Sequence, residues 1–156
     1  MTPAGAAPLL EVRSLSVEYR RRSSLRRRAA AHRALDGVSV SVRAEETVAV
    51  VGESGAGKST LGRAVLGLVE PSGGSVHFEG VEITHLAHRQ RVPIAARLQA
   101  VFQDPFSSLN PARTVADSLA EPLLPLGWDA TARRLRVELM LERVGLEPDV
   151  AARYPL

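Results

Sequence analysis

Cysteine is absent from this 156-residue chain, which excludes a disulfide framework and any thiolate metal site. That absence fits a reducing compartment. Aromatic residues make up only 4% of the chain, so Val, Leu and Ala must build its core. No apolar run approaches the roughly 20 residues that a membrane-spanning helix needs. The N-terminal stretch "MTPAGAAPLLEVRSLSV" lacks a basic start followed by an apolar segment, so no secretory signal is expected. The expectation is a soluble, cytosolic chain. Lysine is also nearly missing: Lys58 is the single lysine, against nineteen arginines.

What is present is the composition of an ordinary globular protein, 45% hydrophobic and 24% charged, long enough for one domain with a substantial core. The net charge of +3 is local. Residues 20–28, "RRRSSLRRR", hold six of the twenty cations and no acid, and the rest of the chain balances 14 cations against 17 acids. A basic tract on a slightly acidic body, with no interleaved aromatics, does not describe a nucleic-acid-binding face. The tract, with its flanks to about residue 33, reads as a basic loop insertion. Contact with anionic lipid headgroups or with loops of a membrane partner is the other reading.

Leu9 to Tyr19 is a partly alternating strand. In Ala34 to Arg43 the alternation is clean, with Val38, Val40 and Val42 on one face and Ser39 and Ser41 on the other, as in an antiparallel strand with one wet face. Thr47 to Val51, "TVAVV", and Leu98 to Phe102, "LQAVF", are short and largely apolar, as expected of strands buried on both faces of a parallel sheet. A helix is predicted after Gly57, with Leu61, Val65 and Leu68 on one side. "PSGGSVHFEGVEI" reads as a turn and short strands. "TVADSLAEPLL" is a short helix candidate. Ala130 to Val144 is a stronger one, with Asp129 as its cap, Gly145 at its end, and Leu135, Leu139 and Met140 as its apolar stripe. The pattern predicts an α/β domain with an antiparallel flap.

Residues 50–60 read "VVGESGAGKST", and Gly52, Glu53, Ser54, Gly55, Ala56, Gly57, Lys58 and Ser59 match G-x-x-x-x-G-K-[ST]. The match follows a predicted strand and opens a predicted helix, the context a phosphate-binding loop requires. Gly55 and Gly57 permit backbone in which successive N–H groups converge on an anion. The helix start adds roughly half a positive charge. A compact ammonium on a flexible stem bridges β- and γ-phosphates inside a tight loop, where a planar guanidinium is bulkier. The Ser59 hydroxyl suits Mg²⁺, which prefers oxygen ligands. Thr60 closes the motif. With Lys58 so committed, no Asn-Lys-x-Asp guanine-reading motif is available, which argues against a GTPase. His85 and His88, three residues apart, read as a solvated surface pair, since no third metal ligand is evident.

"VGESGAGKSTLGRAVLGLVEPSGGSVHFEG" followed by "VFQDPFSSLNP" resembles the ATP-binding subunit of ABC transporters, in the oligopeptide, dipeptide and nickel importer branch. The likeness runs from about Leu10 to Leu156. It implies a P-loop NTPase core of RecA-like α/β type, an antiparallel β flap, and the start of a helical subdomain from about residue 104. It also implies ATP and Mg²⁺ as ligands. The implied partners are membrane-spanning permease subunits and a second ATP-binding subunit, and the implied location is the cytoplasmic face of the cell membrane. By the resemblance Tyr19 matches the aromatic that stacks on adenine; the plain alternative is an aromatic on an edge strand. Gln103 matches the glutamine that reaches Mg²⁺ or the attacking water; the alternative is a polar strand end. "VRAEET" (42–47) departs from the family's Pro-Gly turn before the loop strand, which puts that turn's geometry in question.

No Leu-Ser-Gly-Gly-Gln signature follows "AARYPL", no apolar run ends in Asp-Glu, and no late histidine is present. The resemblance is therefore to the N-terminal portion of such a subunit, an incomplete domain with little turnover expected. The alternative function is a nucleotide-binding module with no ATPase activity of its own. The resemblance also implies that strands outside these residues separate Thr47–Val51 from Leu98–Phe102, so both segments are expected to expose apolar faces and unpaired edges.

Overall fold

In the first predicted strand, Val12 and Leu15 stand three apart, a spacing that simple alternation cannot bury together. The computed structural model, which describes residues 7–20, 31–104 and 109–155, buries both through a bulge. Strand β1 (Leu10–Arg20) pairs antiparallel with β2 (Ala31–Val42), with Val12 opposite Val40 and Leu15 opposite Val38. The extra residue is Ser14, at φ 46°. Two further irregularities follow on β2, one between Val38 and Leu35 and one that leaves Ala34 unmatched between Leu35 and Arg33. Each bulge inserts a residue, and an inserted residue switches which side chains face the core. Serine hydroxyls take up amides there: Ser14 N–H donates to Ser39 Oγ (2.8 Å) and Gly37 N–H to Ser16 Oγ (3.0 Å).

β3 (Gly73–Phe78) pairs antiparallel with the other edge of β1, and the two-residue β4 (Val81–Glu82) pairs with β3, giving the order β2-β1-β3-β4. Gly74 lies against the Ser14 bulge, where a Cβ would collide with the Ser14 carbonyl. Val12, Leu15, Val17, Leu35, Val76, Phe78 and Ile83 are buried, as are Leu61, Ala64 and Val65 of helix α1 (Lys58–Val65). α1 packs on β1 and β2. The helix ends before Leu68, which is exposed rather than on the buried side as expected. The "VRAEET" turn forms without Pro-Gly: Glu46 N–H donates to Arg43 O (3.3 Å), and Glu45 takes the left-handed conformation (φ 61°).

The chain divides into two compact units, Met1–Ala87 and His88–Leu156. The second holds α2 (His88–Ala95), α3 (Val115–Ala120) and α4 (Ala130–Arg143), with 3-10 turns at Glu121–Leu123 and Pro148–Ala152. Thr114 caps α3 by accepting from Asp117 N–H (3.1 Å), and Asp129 caps α4 by accepting from Ala132 N–H (2.8 Å), as its position predicts. α4 stops ahead of Gly145, whose N–H returns to Glu142 O (2.9 Å). Among the described residues no helix is long and apolar enough to cross a membrane.

Three expectations need correction. Neither Thr47–Val51 nor Leu98–Phe102 is a strand: both run without ladder bonds, and Val51 is 87% and Val101 102% exposed. A strand exists only through a partner's hydrogen bonds, and among the described residues neither segment is part of a sheet. Arg20 and Ala31–Arg33, expected within the basic insertion, belong to the β1–β2 ladder; residues 21–30 lie outside the described residues. The stripe of α4 is rotated. Val137 and Leu141 are buried, facing α3 and the Pro148–Ala152 turn, whereas Leu139 is exposed and Met140 half-buried. With apolar residues at 135, 137, 139, 140 and 141, periodicity fits more than one face, and packing chooses.

That choice is measurable. Leu141 is 2% exposed and Leu135 61% exposed. Leu141→Ala is expected to cost about 2–5 kcal/mol of stability, and Leu135→Ala no more than about 0.5 kcal/mol. Urea unfolding followed by circular dichroism separates the two, and equal losses would contradict the burial of the Val137–Leu141 face.

Candidate functional site: a glycine-rich loop at a helix start

Residues 52–57 form a loop that enters α1 at Lys58. One backbone bond closes it, Ala56 N–H to Glu53 O (3.2 Å). Gly57 is the residue preceding the helix and sits at φ 89°, a left-handed conformation that other residues adopt at a cost. A Cβ at Gly57 would lie 2.5 Å from the Ala34 carbonyl oxygen and 2.8 Å from Leu35 Cδ2. Ala34 is the unmatched residue of the β2 bulge. The bulge therefore forms a wall of the loop, and only a glycine fits against it. Ala34 and Leu35 were not among the residues expected at the site. Alternation gives no sign of them, because the bulge that turns them toward the loop is a property of strand pairing.

The half-buried Lys58 folds back over the loop. Its Nζ donates to Gly52 O (2.8 Å) and Glu53 O (2.5 Å), spanning the turn from helix to loop entry. The first-turn amides of α1 have no intrahelical acceptor, as at any helix start. Among the described residues no backbone carbonyl takes the amides of Lys58, Ser59 or Thr60. The first turn carries no acidic residue. Free donors, the helix dipole and an ammonium thus gather at one place, the electrostatics of an anion site. Ser59 is exposed beside them.

Tyr19 reaches this corner from β1: its hydroxyl lies 3.5 Å from Thr60 Oγ1, and the side chain is 39% exposed. The structure brings Tyr19 and the loop residues Gly52, Glu53, Ser54, Gly55, Ala56, Gly57, Lys58, Ser59 and Thr60 together within the first unit. Gln103 belongs to the second unit, exposed in the irregular stretch after α2. Of "QDPFSSLNP", residues 105–108 lie outside the described residues, and Asn110 Oδ1 accepts from Ala112 N–H (2.9 Å). His85 Nδ1 stands 3.6 Å from Glu70 Oε1 at the surface. Among the described residues no three His, Cys, Asp or Glu side chains gather where they could hold a metal ion.

The ABC transporter family model matches residues 35–155, most of the chain, loop included. The chain belongs to the ABC transporter family. It is 40% identical over 158 residues to the oligopeptide transport ATP-binding protein AppF of Bacillus subtilis (strain 168), covering 99% of this chain and 48% of that protein. It is 44% identical over 160 residues to the glutathione import ATP-binding protein GsiA of Shigella dysenteriae serotype 1 (strain Sd197), covering 99% of this chain and 25% of that protein. The chain thus spans about half or less of the length of these relatives. In fold it is similar to the ATP-binding cassette MJ0796, solved as a dimer in a post-hydrolysis state bound to ADP and Pi, with a TM-score of 0.73 at 23% identity over 94% of this chain and 61% of that one. The chain cbiO1 from Clostridium perfringens, part of the ABC transporter complex cbiONQ, is similar at a TM-score of 0.66 and 25% identity over 94% of this chain and 54% of that one. These neighbours carry the α/β fold class, although the described residues of this chain form only its antiparallel sheet and its helices.

The two glycines of the loop and helix are expected to respond in opposite directions. Gly57→Ala meets both a left-handed backbone and the Ala34 carbonyl, and should lower stability by at least about 1–2 kcal/mol. Gly62 lies inside α1, and a methyl group added there would meet nothing within 4 Å, so Gly62→Ala should raise stability by roughly 0.4–1 kcal/mol. Thermal unfolding of the two variants reads both, and a neutral Gly57→Ala would contradict the close approach of β2 to the loop.

Proposed function

We propose that this chain is the nucleotide-binding portion of an ATP-binding subunit that couples ATP binding and hydrolysis to the import of peptides or a related solute. The observation that carries the reading is the lone lysine at the start of α1, folded over a glycine-rich loop whose neighbouring amides are free of backbone acceptors. The names of the similar oligopeptide and glutathione import proteins support the transport role. On this reading Lys58 exchanges its carbonyl partners for the β- and γ-phosphates of ATP, and the α1 amides bind the same group. The residues from Gly52 to Thr60 form the phosphate site, and Tyr19 stacks on the adenine.

Mg²⁺ fits the oxygen donors available. Ser59 offers an exposed hydroxyl at the loop and would hold the ion, which supplies charge neutralisation of the phosphates. The partners in this reading are membrane-spanning permease subunits and a second ATP-binding subunit, with the chain peripheral on the cytoplasmic face. The arginine tract, with its six cations and no acid, is suited to anionic headgroups at that surface. A second reading has its own observation. The exposed, unladdered Thr47–Val51 and Leu98–Phe102 segments favour a binding module that does not turn ATP over by itself.

Lys58→Ala should weaken ATP far more than adenosine, because the lost partner is phosphate. A hydrogen bond to a charged group contributes about 1.5–3 kcal/mol, roughly 10- to 150-fold in affinity. Lys58→Arg should restore only part of it. Tyr19→Ala should weaken ATP but leave inorganic triphosphate unchanged. Calorimetry reads all three, and equal ATP affinity in wild type and Lys58→Ala would sink the phosphate-loop assignment.

A further inference from the structure

The Tyr19 hydroxyl contact with Thr60 fixes which face of the sheet the tyrosine occupies. It is the face that carries Leu15, Val17 and Leu35 into the core under α1, with Leu35 against Gly57. Directly opposite Tyr19 on β2 stands His32. Opposed residues of an antiparallel pair share a face, with Cβ atoms about 4.5–5.5 Å apart. His32 is exposed, so its ring stands open beside Tyr19 at the edge of the loop corner.

The bulge decides that it is His32. Leu35 opposes Val17, and with simple alternation the next β2 residue on the loop face is Arg33, opposite Tyr19. Ala34 is unmatched instead, so Arg33 falls opposite Glu18 on the other face. There its guanidinium is committed, donating to Glu18 Oε1 from Nε (3.2 Å) and Nη2 (3.1 Å) and to Asp36 Oδ1 from Nη1 (3.0 Å). The bulge thus swaps a cation for an imidazole at the position beside Tyr19.

An imidazole adds what a phenol face lacks. Neutral histidine carries one ring donor and one ring acceptor, a pair suited to the polar edge of a nucleobase whose face lies on tyrosine. We infer that His32 is a second nucleobase-binding residue, reading the edge of the base that Tyr19 stacks. This rests on the proposal that the loop holds a nucleotide's phosphates and Tyr19 its base. It predicts a site in which base recognition is shared across the β1–β2 hairpin.

Calorimetry on the full chain tests it with three ligands, ATP, adenosine and inorganic triphosphate, and with Lys58→Ala run in parallel. His32→Ala should weaken ATP and adenosine about 2- to 13-fold, the range of one neutral hydrogen bond, and leave triphosphate unchanged. His32→Thr, which suits a strand, should show the same loss, separating base contact from strand propensity. If His32→Ala leaves ATP affinity intact while Lys58→Ala lowers it, His32 has no part in the site and the phosphate reading stands. If triphosphate weakens as much as ATP in His32→Ala, or if His32→Thr binds as wild type, the histidine acts through the hairpin and the inference is overturned. If Lys58→Ala also leaves ATP affinity unchanged, the nucleotide reading falls, and the role of His32 with it.

Discussion

The close approach of Gly57 to the Ala34 carbonyl is the constraint on which the site depends. It joins two features that sequence separates by more than twenty residues: a bulged antiparallel hairpin and a phosphate-type loop. The loop can lie against the strand only because Gly57 has no Cβ, and the strand offers a carbonyl there only because Ala34 is unmatched. The same bulge sets which β2 side chains share a face with Tyr19. Loop shape, hairpin register and the surroundings of Tyr19 therefore follow from one packing contact. Lys58 adds a second tie, since its ammonium holds Gly52 and Glu53 toward the helix start. An incoming anion would compete with those two carbonyls for the same ammonium.

The strands of the antiparallel sheet pair with one another and pack against α1, whereas the segment leading into the loop, Thr47–Val51, is β-branched, apolar and unpaired. Leu98–Phe102 shares that condition in the other unit. Apolar, edge-forming segments open to water invite association with another chain. The similar import proteins are about twice as long or more.

Much of the site was legible in the sequence, because its chemistry is local. The motif from Gly52 to Ser59, the position of Lys58 at a helix start and the Asp129 cap all depend on neighbours within a few residues. The resemblance located Tyr19, and the contact with Thr60 sets it beside the loop. What alternation could not reveal were the three irregularities of the β1–β2 pair, since a bulge is decided by two strands and leaves each one looking only partly periodic. Thr47–Val51 misleads for the converse reason: a β-branched, apolar composition suits a strand, but a strand forms only where another segment pairs with it. On α4, five apolar residues within seven positions left the choice of face to packing.

Because Lys58 is the single lysine, the chain prepared with ¹⁵N-lysine carries one labelled side chain and one labelled amide, both at the loop. Nuclear magnetic resonance of that one residue tests the central claim, that the ammonium and the helix start form an anion site. Inorganic triphosphate is predicted to shift both Lys58 resonances in a saturable manner, while adenosine alone leaves the Nζ resonance in place. A Lys58 signal that does not move as triphosphate is added in large excess would contradict the account.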